Sequence, residues 1–249
     1  MFFVNLLETN LKTKVIGRNI EYYAFTDSTN DDIWELLENK YMKGLLVVTD
    51  NQKNGRGQRE KKWFSKAGHG ITCSFMITEQ IEYSTILSIL IPLGIIYGIK
   101  NLLNIETDIK WPNDIYFNHK KLGGILIESK INSGKINFAI GIGINVNENF
   151  DDFPSELKET ATSIKIISGQ STQRELLLAY ILNSIDKLIH ENKMGEIVKD
   201  YNSKCLNINQ TVNFYHNDKD KRGILMGVNN KGQSIIKTKD GEQYNFTLT

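Results

Sequence analysis

Two apolar runs near the middle of the chain, KLGGILIESKI (121–131) and INFAIGIGINV (136–146), are separated by a turn signal at Asn132, Ser133 and Gly134. A parallel return needs a crossover of a dozen residues or more, so runs joined this closely pair as an antiparallel hairpin. Whatever else the chain forms must pack around that ribbon. Glycine interrupts both runs. Gly123 and Gly124 cost strand stability and suggest that a ligand approaches the backbone there. The GIG at 141–143 invites a dinucleotide reading, but that fingerprint needs a third glycine and a following helix, and neither is present.

The flanking pattern adds strands and helices in alternation. A short helix is predicted over 2–12, a strand over 21–25, and a helix capped by Ser28 or Thr29 running to about Tyr41. Strands follow over 45–50 and 70–77, an apolar helix over 84–103, and short strands at DIKW and DIYF. Residues 173–191 read as an amphipathic helix with Leu176, Leu177, Tyr180, Ile181, Ser184, Ile185 and Leu188 on one side. From about Cys205 the texture changes to short strands separated by hairpin turns such as NNKG and KDGE. This predicts a small SH3-like β-barrel over 206–249 beside a larger domain over 1–205.

Composition narrows the function. With 30 Lys and Arg against 29 Asp and Glu, the chain lacks the basic footprint of a non-specific nucleic-acid binder. Cys73 and Cys205 have no paired spacing, which fits two free thiols in a reduced, cytoplasmic setting. The opening MFFVNLLETNLKTK carries no signal-peptide pattern. The run ILSILIPLGIIYGI is read as too short and interrupted for a bilayer, hence as a buried helix.

Five motifs carry chemistry. DSTN (27–30) lies at a strand-to-helix turn, where Ser28 or Thr29 can cap the helix or, with Asn30, hydrogen-bond a polar ligand head. NQKNGRGQREKKW (51–63) sets Arg56, Arg59, Lys61 and Lys62 among glycines that let the backbone approach a ligand, with cations able to neutralise phosphate oxygens. Such a loop is expected to be mobile when empty, because like charges repel and nothing apolar holds it before Trp63. KWPND (110–114) is a poor buried strand: Pro112 removes a ladder donor, and Asn113 and Asp114 offer oxygens to Mg²⁺ or a hydroxyl. In KKLGGILIE (120–128), Lys121 beside Gly124 can neutralise a carboxylate or phosphate, or simply guard a sheet edge. In GIGINVN (141–147), Asn145 could reach a phosphate or metal-bound water. His69, His119, His190 and His216 have no metal-ligand spacing.

In this order, the five motifs resemble the biotin protein ligase family, and the resemblance extends through the amphipathic helix and the terminal barrel. The resemblance implies an α+β fold: a mixed, largely antiparallel sheet with flanking helices, like that of class II aminoacyl-tRNA synthetases. It also implies the monofunctional type, without a DNA-binding helix-turn-helix. The implied activity is ATP-dependent formation of biotinyl-5′-AMP with release of pyrophosphate. Biotin then passes to a lysine of a biotin carboxyl carrier protein domain of a carboxylase. Mg²⁺ accompanies ATP, and a homodimer is expected.

The resemblance also distributes roles among residues. Ser28, Thr29, Asn30 and Gln52 would hold the ureido head, and Gly55, Arg56 and Gly57 would wrap the valeryl chain and carboxyl end. Lys121 would bridge carboxylate and α-phosphate, whose repulsion at 4 Å is about 4 kcal/mol at an effective dielectric near 20. Trp63 would wall the adenylate from water. Asn113, Asp114 and Asn145 would organise phosphates and metal, with Asp114 and Asn145 as metal ligands. Asp114 is also the candidate to deprotonate the acceptor lysine, whose free pKa is about 10.4. Gly124, Gln58, Arg59 and Lys61 complete the expected binding set, and Lys121, Arg56 and Asp114 the catalytic one.

The family commonly reads GRGRxGRxW where this chain reads GRGQREKKW, so Gln58 stands at the second arginine, Glu60 at a glycine and Lys61 at the third arginine. The nearest rival is a lipoate or octanoyl ligase, but the polar DSTN cluster and GRG loop favour a ureido head. Two readings from different classes compete as well: a non-catalytic biotin sensor or repressor, and a structural module.

Overall fold

A computed structural model describes residues 1–39, 42–58, 61–79, 84–132, 135–191, 193–216 and 219–246. The predicted hairpin is its centre: β6 (Lys120–Asn132) and β7 (Lys135–Ile144) pair antiparallel from Asn132↔Lys135 to Gly123↔Ile144. Ser133 and Gly134, assigned to its turn, lie outside the described residues. The ribbon is extended by β1 (Asn19–Tyr23), β2 (Leu45–Thr49), β3 (Ile71–Glu79), β4 (Asp108–Lys110) and β5 (Asp114–Phe117). The resulting seven-stranded sheet has the order β1-β2-β3-β7-β6-β5-β4. Among the described residues only the β1–β2 strand pair of this sheet is parallel, so the sheet is mixed and largely antiparallel, as the resemblance implies.

Register makes the two faces of this sheet chemically different. Ser74, Gly141 and Leu126 stand side by side across β3, β7 and β6, and so do Thr72, Gly143 and Gly124. The residues between them, including Phe75, Ile140, Cys73, Ile142 and Ile125, point the other way into the main core. That apolar face is covered by α3 (Ser84–Leu103) and α5 (Arg174–His190). The two helices close on each other through glycine: a Cβ on Gly94 would fall 2.4 Å from Ile185 Cγ1, and one on Gly98 would fall 2.5 Å from Ile181 Cα.

Three helical expectations change. By length and composition α3 could cross a membrane, contrary to the sequence reading, yet most of it is buried in the core. On α5 the buried set includes Leu178, Ala179 and Leu182, while Tyr180 is 36% exposed. The predicted stripe was too narrow because α5 packs between α3 on one side and α1 (Val4–Asn10) on the other. The sequence reading also missed α4 (Ile164–Ser168) and α6 (Met194–Lys204). Helix α6 buries only Ile197, Val198 and Tyr201, too few apolar positions to show a period.

On the opposite, glycine-rich face lies α2 (Thr29–Asn39), whose Ile33 and Trp34 pack with Leu45, Val47, Met76 and Ala139. The C-terminal barrel is observed as a four-stranded antiparallel sheet, β8 (Thr211–His216), β9 (Lys219–Val228), β10 (Ser234–Lys237) and β11 (Gln243–Phe246). Gly232 and Gly241 supply positive φ of 78° and 87° in its turns, which only glycine adopts without strain. Val212, Phe214, Leu225 and Ile236 join the main core rather than forming a separate one.

Candidate active site

Only part of the glycine-rich face is covered by α2; the rest is the floor of a cavity of about 810 Å³. Gly124, Gly141 and Gly143 pave it, and side chains close over them at van der Waals distance. A Cβ on Gly141 would sit 2.7 Å from Asn30 Oδ1, and one on Gly143 would sit 2.4 Å from the Trp63 indole. Of the two glycines flagged in the sequence, Gly124 lines the cavity, whereas Gly123 faces Ile144 and the core. Gly141 and Gly143 are missed, although spacing of two on one strand was the available signal.

One end of the cavity is a closed hydrogen-bond network. Ser28, Thr29 and Asn30 are each 3% exposed, at the N-terminus of α2. The Thr29 amide donates to Gln52 Oε1 at 2.9 Å, and the Thr29 and Ser74 hydroxyls lie 2.6 Å apart. Ser74 Oγ donates to Asn30 Oδ1 at 2.6 Å, and Asn30 Nδ2 donates to Glu128 Oε2 at 2.9 Å. Thus DSTN both starts the helix and builds a polar pocket. Ser74 and Glu128 were not among the predicted site residues; both strands carry other polar residues, so only the register singles these two out.

The other end carries charge. A bulge in the β5–β6 pairing, between Ile115 and Tyr116, brings Lys121 to the side of the sheet occupied by Asp114. Their Nζ–Oδ1 distance is 2.7 Å, and Gly124 lies beneath, with a hypothetical Cβ 3.4 Å from both groups. Lys121 Nζ is 5.7 Å from the centroid of Trp63. The KWPND segment is the turn between β4 and β5. Trp111 fastens it to the C-terminal sheet by donating from Nε1 to Ser234 Oγ at 2.7 Å. Asn213, Tyr215 and Phe246 of that sheet also line the cavity.

The basic loop, expected to have nothing apolar to hold it before Trp63, is held instead by polar contacts. Over its described residues Trp63 N donates to Gly55 O at 2.8 Å and Gly57 N to Lys61 O at 2.6 Å. Arg56 forms a two-pronged pair with Asp31, at 2.6 and 2.7 Å, and a further contact with Glu128 at 3.1 Å. The Asp31 hydrogen bonds lead in holding this guanidinium above its ordinary pKa.

Of the predicted residues, the cavity brings together Ser28, Thr29, Asn30, Gln52, Arg56, Gly57, Gln58, Lys61, Trp63, Asn113, Asp114, Lys121 and Gly124. Gly55 packs behind, where a Cβ would meet Gln52 Nε2 at 2.6 Å. Asn145 stands apart: it is buried, and its amide donates to Thr162 O at 2.9 Å. Arg59 lies outside the described residues. Among the described residues no group of three His, Cys, Asp or Glu could hold a metal ion.

A family model described as biotin/lipoate A/B protein ligase matches residues 22–147. The bifunctional ligase/repressor BirA of Bacillus spizizenii is 34% identical over 237 residues, covering 93% of this chain and 73% of that protein. The biotin–[acetyl-CoA-carboxylase] ligase of Mycobacterium tuberculosis is 24% identical, covering 92% of this chain and 89% of that protein. The solved biotin protein ligase from Aquifex aeolicus in complex with biotin and ATP is 29% identical. It superposes with a TM-score of 0.75 over 93% of this chain and 96% of that one.

Proposed function

This chain belongs to the biotin/lipoate A/B protein ligase family, and from that premise we propose how its residues carry out biotin–protein ligation. The enzyme activates biotin with ATP and transfers it to a carrier protein. A biotin carboxylate oxygen attacks the α-phosphorus, the bond to pyrophosphate breaks, and biotinyl-5′-AMP forms. The carrier lysine amine then attacks the acyl carbon and AMP leaves.

The observation that carries the substrate choice is the buried network of Thr29, Ser74, Asn30 and Gln52. A ureido ring offers N–H donors and a carbonyl acceptor to such a pocket. An apolar dithiolane makes no use of this polar lining, whereas a ureido ring adds hydrogen bonds through capacity the network leaves spare, such as the second lone pair of Asn30 Oδ1. Ser28, Thr29, Asn30 and Gln52 therefore take the head, and the glycine floor admits the valeryl chain beneath Gly55, Arg56 and Gly57.

At the charged end, Lys121 exchanges Asp114 for the reacting anions and stabilises charge that grows on the α-phosphate. Gln58 and Lys61 line the part of the cavity that would take the phosphates, with Asn113 beside them, and Trp63 would close the adenylate from water. ATP enters as its Mg²⁺ complex. Asp114 is the carboxylate that would hold a phosphate-carried Mg²⁺, and such an ion would supply positive charge beside the leaving pyrophosphate. Asn145, its amide taken by Thr162, supports the strand end more naturally than the metal. Once Lys121 has moved to substrate, Asp114 is free to accept the acceptor lysine's proton.

Residues 1–205 form the catalytic unit, and 206–249 a second unit that completes the cavity wall. The acceptor is the carrier domain of a biotin-dependent carboxylase. Two free, buried cysteines suit a reducing cytoplasm. The edge strand β1 offers a pairing surface for a homodimer, which sedimentation equilibrium tests, whereas the edge of β4 is taken by Cys205 and Leu206. The central experiment is Mg²⁺-dependent exchange of labelled pyrophosphate into ATP, run with biotin and lipoate side by side. Biotin should support exchange; exchange with lipoate alone overturns the substrate assignment, and exchange with neither overturns the catalytic reading.

A further inference from the structure

Between the two ends of the cavity stands one carboxylate that touches both. Glu128 Oε2 accepts from Asn30 Nδ2 at 2.9 Å and from the Trp34 indole N–H at 3.3 Å. Its Oε1 lies 3.1 Å from the Arg56 guanidinium. Register places Glu128 opposite Ala139 on β7, two residues beyond Leu126 on the same cavity-facing side. It is the last cavity residue of β6 before the strand runs out to solvent.

We propose that Glu128 is a positioning residue that couples recognition of the biotin head to the placement of the Arg56 loop. An ionised carboxylate accepts hydrogen bonds only, so it fixes the Asn30 side chain with its NH₂ toward Glu128. Asn30 Oδ1 is thereby turned toward Ser74 and the cavity, an acceptor for a ureido N–H. The same carboxylate supplies a charge-assisted contact to Arg56, whose backbone wraps the chain of the bound substrate in the proposed function, on which this inference rests. Movement of the loop and orientation of Asn30 are therefore linked through one side chain. With a side chain 31% exposed, Glu128 can be replaced without leaving a large buried cavity.

Two substitutions separate the two contacts. Glu128→Gln keeps an acceptor oxygen for Asn30 but lacks the charge that holds Arg56. Glu128→Ala removes both. We expect biotin KM to rise about threefold in Glu128→Gln and tenfold or more in Glu128→Ala, as expected for losing one or more charge-assisted hydrogen bonds. The KM for ATP should stay near wild type in both. In the ligand-free proteins, hydrogen exchange at the backbone amides of Gly57 and Trp63 should quicken in both variants. Unchanged exchange at these amides, or a biotin KM that rises no more than the KM for ATP, overturns the coupling. Thermal melts of both variants report any general loss of fold, which would raise the two KM values together. The exchange readout needs no substrate, so it still judges the coupling if wild-type protein fails the biotin assay.

Discussion

The head end and the charged end of the cavity are held together by different physics. At the head end, Ser28, Thr29, Asn30 and Ser74 are at most 3% exposed and bond chiefly to neutral neighbours. At the charged end, the side chains of Lys121 and Arg56 are 34% and 41% exposed, and each rests on carboxylates of the protein itself. Neutral polar groups can be buried once they satisfy one another. Cations facing a cavity need a counter-charge at all times, and without substrate only Asp114, Asp31 and Glu128 supply it among the described residues. The head end is thus prebuilt, while the charged end must exchange its internal partners for substrate anions.

The largest expected effect strikes the charged end. Lys121→Ala should lower kcat for biotin-dependent exchange by about 10²- to 10³-fold, the usual consequence of deleting a charge-stabilising donor. Biotin KM should change far less, because the head pocket keeps its geometry. A loss seen wholly in biotin KM would erase the distinction between the two ends.

The converse blow falls on the head. In Gly141→Ala the new methyl would lie 2.7 Å from Asn30 Oδ1, and Asn30 is tied to Ser74 and Glu128, so it has little room to yield. Overpacking of this kind costs about 1–3 kcal/mol, which predicts a biotin KM raised roughly 10- to 100-fold with kcat at saturation little changed. Calorimetric titration with biotin alone checks it. Unaltered affinity would mean that the head pocket adapts rather than waits.

These two ends were not equally readable from the chain. The DSTN, KWPND and KLGG motifs announced themselves because each breaks the rule of its surroundings, a cap, a proline or a glycine where a plain strand or helix would do. The hairpin, the long helix α3 and the small C-terminal sheet followed from periodicity and turn residues. What escaped was relational. Glu128 and Ser74 acquire roles only once register sets them opposite Ala139 and Gly141. The carboxylates resting on Arg56 come from a helix and a strand distant in sequence. Asn145, a candidate ligand by motif, is buried with its amide nitrogen donating to Thr162 O, a placement the motif does not show.

A buried carboxyl lies at the foot of the sheet: Glu148 is 1% exposed, and burial pushes its pKa up to about 7 against the opposing pull of the Glu148 and Val146 backbone amides. It abuts Gly70, at the foot of the strand that carries Thr72 and Ser74; a Cβ there would lie 2.9 Å from Oε1. Asp152 pushes the pKa in the same direction, and Arg174 opposes it. Since the folded pKa exceeds the ordinary value of 4.5, stability is whole below pH 4.5 and declines as pH rises through 7. A shift of that size corresponds to about 3 kcal/mol. An unpaired amide in its place returns about 1 kcal/mol of that gain. Glu148→Gln should therefore stabilise the protein by about 2 kcal/mol at pH 8 and destabilise it by about 1 kcal/mol at pH 4, read from urea unfolding at both values. Equal gains at both pH values would show that packing, not charge, is at issue.

The smallest expected effect lies where the charged end departs from its family's pattern. Gln58 lines the cavity at a position where the pattern has arginine, so any contact it made to a phosphate oxygen would be an ordinary hydrogen bond rather than a charge-assisted one. Gln58→Arg should slow release of biotinyl-5′-AMP by about threefold to tenfold, the difference between the two kinds of hydrogen bond. Rapid-quench measurement of adenylate release follows it directly. Because the residue faces the phosphates and not the head, biotin binding without ATP should be untouched. An off-rate that does not move would mean that the cations already present, Arg56, Lys61 and Lys121 among them, saturate the phosphate's need for partners. In that case the weaker cationic character of this loop carries no cost in retention, and the charged end is less dependent on any one cation than the head end is on Asn30.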